Sequence, residues 1–409
     1  MTKTSDKQSK SKDTKPGALD GVTVLDLTRV LSGPYCTMML ADMGARVIKI
    51  EQPKKGDDTR AWGPPFQQGE SAYFLSINRN KESVTINLKS PDGRRILEKL
   101  LEISDVLVEN FRPGTLDRLG MGYSELSQSH SKLIYCSVSG FGQTGPRRHE
   151  PGYDAVLQGE GGLMSITGPP DGPAYRLGVA IADIVSGMFS AYGIAVALLA
   201  RHRTGHGQLV DVGMLDAVTA ILTYQAGIYF ATDTPPGRLG NRHPTITPYE
   251  TLEAADGDLV VAIGNDQLWR SFCAVLDIND LADDPRFRTN KDRVSSREQL
   301  RPLLVKRLQS RSAGEWLKQL KAAGIPCGAV RDLGQLFSDP QIIERAMVIA
   351  LEHPIAGTIR QLGIPVKLSD TPGALHSPPP TLGQHTDAVL RKIGFSADEI
   401  FRFKENGAI

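Results

Sequence analysis

Residues 22–51 read "VTVLDLTRVLSGPYCTMMLADMGARVIKIE", and their pattern changes twice. "VTVLDL" (22–27) is β-branched and aliphatic, as strands are, and "RVIKIE" (46–51) is a second strand of the same kind. Between them, "YCTMMLADMGA" (35–45) reads as a helix that stops at Gly44. Strands joined through a helix of about ten residues or more imply a parallel sheet. The same alternation continues outward. "VTINL" (84–88) reads as a strand, "SPDGRRILEKLLEI" (90–103) as a helix with Ser90 at its N-cap, and "DVLVEN" (105–110) and "KLIYCSVSG" (132–140) as strands. The fold class that follows is α/β, with a large Rossmann-like parallel-sheet domain.

Ligands of such sheets bind beyond the carboxyl ends of the strands. Those ends here read "DLTRVLSGP", "IEQPKKGDD", "VENFRPG" and "SVSGFGQTGP", all rich in Gly, Pro or polar residues. None is GxGxxG and no GxxxxGK[ST] occurs, so neither a nicotinamide fingerprint nor a P-loop is present. Arg60, Lys81, Lys89, Arg112 and Arg118 are scattered through these loops. They form either a solvated surface or separate cations for a phosphate-bearing ligand.

Further along, "GVAIADIVSGMFSAYGIAVALLAR" (178–201) is a long apolar helix with one acid, Asp183. Gly and Ser interrupt it, so it is expected as a buried core helix and not a membrane span. "QLVDVGMLDAVTAILTYQAGIYF" (208–230) is read as mostly helical, and "TPPGRLGNRHPTITPYE" (234–250) as a boundary loop. "LVVAI" (259–263) and part of "GIPCGAVRD" (324–332) carry strand signal.

Composition narrows the function classes. The chain has 409 residues, enough for two or three domains, with 40% hydrophobic and 23% charged residues. A net charge of +1 gives no global pull toward nucleic acid or a membrane surface. Four cysteines without a CxxC pair fit a reducing, cytoplasmic setting. Residues 1–19 are lysine-rich without an apolar core, and are expected as a disordered tail and not a signal peptide. His202 and His206 are four apart but lack an evident third ligand, so no metal is expected.

Asp183 is the residue that asks for chemistry. A carboxylate in a helix's first turn is stabilised there and can merely cap. Yet an ionised acid among Ile181, Ile184, Val185 and Met188 is costly without a partner, which makes it a candidate nucleophile or general base.

At these residues the chain resembles the class III CoA-transferases, the CaiB/BaiF family. "LDGVTVLDLTRVLSGP", "MGARVIKIEQP", "VENFRPGTLDRLG", "PGYDAVLQ", "VAIADIVSGM", "TGHGQLVDVGMLDA" and "LGQHTDAVL" carry the likeness, from about Leu19 to about Phe395. "GDDTRAWGPPF" and "IYCSVSGFGQTGP" narrow it to the succinate–hydroxymethylglutarate branch. The resemblance implies CoA transfer from an acyl-CoA, succinyl-CoA in that branch, to a free carboxylic acid, with Asp183 as nucleophile and Asp154 as assisting acid. It implies CoA contacts at Leu31, Ser32, Gln52, Ile86, Lys89, Asn110, Phe111, Arg118 and Tyr153; backbone N–H groups near small residues such as Gly33 are suited to stabilise the oxyanion of such a reaction. The CoA thioester is then a substrate, and no permanently bound cofactor is implied. Formyl-CoA transferase has glutamine at the position of Leu31 and arginine at that of Gln52, and a closing glycine run that this chain lacks. Formate or oxalate chemistry is therefore disfavoured against a longer dicarboxylate, whose distal carboxylate needs a cation such as Arg60 or Arg242. The resemblance also implies a smaller α+β domain and an interlocked, ring-like homodimer. The expected division is 20–225 for the large domain, 226–330 for the small domain with its linkers, and 331–409 for a segment returning to the large domain. An acyl-CoA racemase using His149 and Asp183 as an acid/base pair is the alternative on the same fold.

Overall fold

The computed structural model describes residues 15–409; the tail expected over 1–19 lies outside the described residues as far as residue 14. The chain divides into two units. The first comprises residues up to Gly161, Gly178–Leu222 and Gln341–Ile409. The second comprises Gly162–Leu177 and Thr223–Pro340.

The first unit is built on six strands: β1 (Thr23–Asp26), β2 (Arg46–Glu51), β3 (Lys81–Thr85), β4 (Val106–Glu109), β5 (Ile134–Ser139) and β6 (Leu209–Gly213). They pair in the order β3-β2-β1-β4-β5-β6, every pairing parallel. In this order the chain winds one way from β1 to β3 and the other way from β4 on. A crevice therefore opens beyond the carboxyl ends of β1 and β4, where the strand order reverses.

Two strands differ from the sequence reading. β3 begins at Lys81, three residues before "VTINL" (84–88), because this lysine is buried and paired inside the fold. β6 lies within "QLVDVGMLDAVTAILTYQAGIYF" (208–230), read as mostly helical; its five residues pair with β5 before two helices follow.

Helix α1 (Ser32–Asp42) connects β1 to β2, and α2 (Pro91–Leu101) connects β3 to β4. The Ser90 hydroxyl caps α2 by accepting the Gly93 N–H at 2.9 Å. Short helix α3 (Asp154–Glu160) precedes the long apolar helix α4 (Ile181–Thr204), and α5 (Met214–Ala220) follows β6. The residues following 341 return to this unit. Val389, Leu390, Phe395 and Phe403 join Leu25, Ile48, Val84 and Leu107 of the strands in one core with Ile96 and Leu97 of α2.

Helix α4 is the one described helix long and apolar enough to cross a membrane, by length and composition. Ala182, Val185, Ser186, Gly187, Ser190 and Ile194 are buried on the face that meets α1 and β5. The opposite face is apolar yet exposed: Met188, Tyr192, Val196 and Leu199 all reach solvent. Met188 therefore does not enclose Asp183 as expected; helical spacing turns it away from the buried face.

The second unit has a three-stranded antiparallel sheet of Tyr249–Glu253, Asp258–Ala262 and Cys327–Ala329. Trp269, Phe272, Phe287 and Trp316 fill its own core.

Candidate active site

Asp183 is in the first turn of α4, but it does not cap that helix. The N-cap position is Ala180, and the free Ala182 N–H donates to Asp154 Oδ1 at 2.9 Å. The other Asp154 oxygen accepts from Gln158 Nε2 at 2.8 Å. Asp154 thus accepts a hydrogen bond at each oxygen, and one of them holds the first turn of α4.

Asp183 instead accepts hydrogen bonds from the hydroxyl and the backbone N–H of Ser32, the first residue of α1. Its carboxylate therefore faces the positive end of a second helix. This contact needs glycine at 187, one turn along α4. A Cβ there would stand 2.6 Å from the Ser32 carbonyl oxygen, so only glycine lets the two helices meet so closely. Burial and then the neighbouring Asp154 charge push the Asp183 carboxyl up to about 7, against the hydrogen bonds from Ser32. Tyr73 senses the same charges. Burial and Asp183 raise its hydroxyl to about 12, which keeps it a proton donor.

Two clefts meet here. The smaller, about 140 Å³, is lined by Asp183, Ser32, Val30, Asn110, Tyr153 and Met214 among others. The larger, about 290 Å³, lies beyond β1, β2 and β3, and Gln52, Ile86 and Lys89 line it. Arg29 and Phe111 line both. A close approach of Gly140 and Gly152 brings Tyr153 to the end of β5; a Cβ on Gly152 would lie 2.7 Å from Gly140 Cα.

The loop from β1 into α1 is fixed at successive residues. Asp26 accepts from the Thr28 N–H at 2.9 Å, and Lys49 Nζ donates to the Thr28 carbonyl at 2.9 Å. Asn110 bonds both main-chain groups of Arg29, at 2.8 and 2.7 Å. The Val30 N–H reaches Asp57 Oδ1 at 3.3 Å. Val30 itself has φ +69°, a region that β-branched residues avoid and that tertiary contacts must enforce. Beneath the loop, Lys81 Nζ meets Asp26 at 3.2 Å and the Pro34 carbonyl at 2.9 Å, all buried. Despite burial, Lys49 holds the Asp57 carboxyl down to about 2. Opposite, Glu109 accepts the Phe111 N–H at 2.8 Å and the Ser137 hydroxyl, anchoring the turn after β4.

The structure thus brings Ser32, Asn110, Phe111, Tyr153 and Asp183 to one cleft, and Gln52, Ile86, Lys89 and Phe111 to the other. Leu31 lines neither; it is buried beside Met38, Ile77 and Ile184. Arg118 lines neither and donates to Thr115 Oγ1 at 3.3 Å. His149 is exposed and outside the cleft that holds Asp183. Lys81 and Arg60 are not surface cations. Arg60 forms a two-pronged pair with Glu51, both bonds 2.7 Å, and stacks on Phe74, so it is not free for a distal carboxylate. Arg242 belongs to the second unit and is paired with Glu298 at 2.6 Å. Arg29 lines both clefts, yet nothing in "DLTRVLSGP" separates it from any other loop arginine.

The model of CoA-transferase family III matches residues 19–386. The chain belongs to this family. Among its relatives is the succinyl-CoA:glutarate CoA-transferase of Mus musculus, 43% identical over 94% of this chain and 88% of the mouse protein. The acetyl-CoA:oxalate CoA-transferase of Acetobacter aceti is also 43% identical, over 94% of this chain and 97% of its own length. The reading against oxalate, drawn from Leu31 and Gln52, thus meets an oxalate-named family member as similar as the glutarate-named one. A crystal structure of a CAIB/BAIF family protein from Brucella suis superposes with a TM-score of 0.83, at 40% identity, covering 93% of this chain and all of that one.

Proposed function

We propose that this CoA-transferase moves CoA from succinyl-CoA to a free dicarboxylate, with Asp183 as the nucleophile. The observation that carries this reading is Asp183 itself: a partly buried carboxylate in the first turn of α4, facing Ser32 of α1, in a cleft that shares two walls with the larger one. CoA would lie in the larger cleft along Gln52, Ile86 and Lys89, and its thioester would pass Phe111 and Asn110 to reach Asp183. Relatives named for succinyl-CoA with glutarate and for oxalate support the dicarboxylate class.

The chemistry balances in four steps. The Asp183 carboxylate attacks the thioester carbonyl, the C–S bond breaks, and a mixed anhydride and CoA thiolate form. The thiolate attacks the aspartyl carbonyl, expelling succinate and leaving an aspartyl-CoA thioester. The acceptor carboxylate attacks that carbonyl, giving a new anhydride and thiolate. The thiolate then attacks the acceptor's acyl carbon, and Asp183 is restored. Each step is an acyl substitution at carbon, so covalent catalysis replaces one difficult exchange by easier ones. The first-turn N–H of Gly33 lacks an intrahelical acceptor and is suited to a developing oxyanion. No step calls for a resident cofactor.

In this reading the enzyme is an interlaced homodimer of a reducing cytoplasm. The exposed apolar face of α4 (Tyr192, Val196 and Leu199) supports burial against a second copy, and the four unpaired cysteines fit that compartment. The test is exchange of labelled succinate into succinyl-CoA, followed by formation of glutaryl-CoA or oxalyl-CoA when the acceptor is added. Absence of exchange with succinate would remove succinyl-CoA as donor.

A further inference from the structure

We infer that Arg29 is the specificity-determining residue that holds the distal carboxylate of the acyl group, leaving Asp58 to do so. This rests on the transfer reaction proposed above and names the group that reads its substrate. A dicarboxylate acyl chain brings a second negative charge into the cleft that contains Asp183 and Glu150. An uncompensated charge there is costly, so a cation must meet it. The cations lining this cleft are Arg29 and Arg112. Arg112 follows Phe111, is exposed, and has no side-chain partner among the described residues that fixes it.

Arg29 is built differently. Its backbone is locked on both sides by Asn110, at 2.8 and 2.7 Å, and the next residue is held at φ +69°. Strain of this kind is kept where surrounding structure over-determines it, often at functional sites. Only the side chain is left adjustable. The guanidinium lies 5.6 Å from the Phe111 ring, on the wall common to both clefts. Its ion pair with Asp58 is long, 3.3 Å, half-exposed, and shared with Lys55, which holds the other Asp58 oxygen at 2.6 Å. Exposed pairs of this kind contribute little, so exchange for a ligand carboxylate costs little. A planar guanidinium then offers two parallel N–H donors to that carboxylate.

A phosphate of CoA is the other anion within reach of the shared wall, and the test separates the two. Steady-state kinetics of Arg29→Met, Arg29→Lys and Asp58→Asn are compared for succinate against butyrate as acceptors, and for succinyl-CoA against butyryl-CoA as donors. For Arg29→Met, the succinate-to-butyrate ratio of kcat/KM is expected to fall at least tenfold, with partial recovery in Arg29→Lys. Asp58→Asn frees the guanidinium and is expected to lower KM for succinate. An equal rise in KM for succinyl-CoA and butyryl-CoA, with the ratio unchanged, would assign Arg29 to the CoA phosphates and overturn the inference. An unchanged KM for succinate in both the Met and Asn variants would overturn it as well. Failure of the wild type to transfer CoA from any donor would instead overturn the underlying reaction.

Discussion

Replacing Gly187 with alanine tests whether helix contact sets the position of the nucleophile. The added Cβ would lie 2.6 Å from the Ser32 carbonyl oxygen, where ordinary contact begins at 3.4 Å, so the helices must part by about 0.8 Å. Tyr35 and the Cys36 N–H close the other directions, at 3.2 and 3.3 Å. Backbone carbonyls do not swing aside as side chains do, so α1 shifts away from α4 and Ser32 from Asp183. A misplacement near 1 Å costs on the order of a hundredfold in rate, and overpacking costs about 1–3 kcal/mol of stability. We expect kcat for CoA exchange to fall by roughly 30–100-fold, with a lower thermal midpoint. Gly178→Ala is the control, because a Cβ there meets nothing within 4 Å. Rapid-quench release of labelled succinate from succinyl-CoA, without an acceptor, separates the first half-reaction from binding. A wild-type rate in Gly187→Ala, or an equal loss in Gly178→Ala, would refute the reasoning.

Other consequences follow from the same contacts. The nucleophile acts only when ionised, so the rate should rise with pH through about 7, where burial and then Asp154 place the Asp183 carboxyl. Asp154→Asn removes a like charge, and the pH–rate profile should move to lower pH. An acid whose folded pKa is raised from its ordinary 3.8 binds protons more readily when folded, so its ionisation costs stability as pH rises from about 4 to about 7. Asp183→Asn should therefore melt higher than wild type at pH 8 and lose that advantage near pH 4, as thermal unfolding across pH would record. Lys81→Met removes the ion-pair partner of the buried Asp26 and leaves it only the donors of Thr28 and Thr37. It should cost about 3–5 kcal/mol, as removal of one partner of a buried pair does, measured by chemical denaturation.

Much of the fold was legible because its signals are local. "RVIKIE" occupies the strand Arg46–Glu51, and Ser90 caps its helix as read. Strand order is a matter of pairing at long range, and no periodicity in the sequence carries it. β6 was missed because five residues between two helical runs give too short an alternation to stand out. Asp183 was legible as one charge in an apolar run. Its partner was not: Ser32 lies far away in sequence, and only the sheet's winding brings the two first turns together. Charged side chains were the hardest to place. Lys81 and Arg60 read as loop cations, yet they are consumed by Asp26 and Glu51, while Arg29, not singled out, keeps a loose partner. That distinction depends on burial and on which acid lies opposite, and the residue type carries neither.

The most direct test of the central claim is mass spectrometry of the protein after incubation with succinyl-CoA, with peptide mapping after hydroxylamine or borohydride trapping. The account predicts an acyl or CoA adduct on the peptide that holds Asp183, discharged by a dicarboxylate acceptor and absent in Asp183→Asn. An adduct at another residue, or turnover in Asp183→Asn at the wild-type rate, would contradict it.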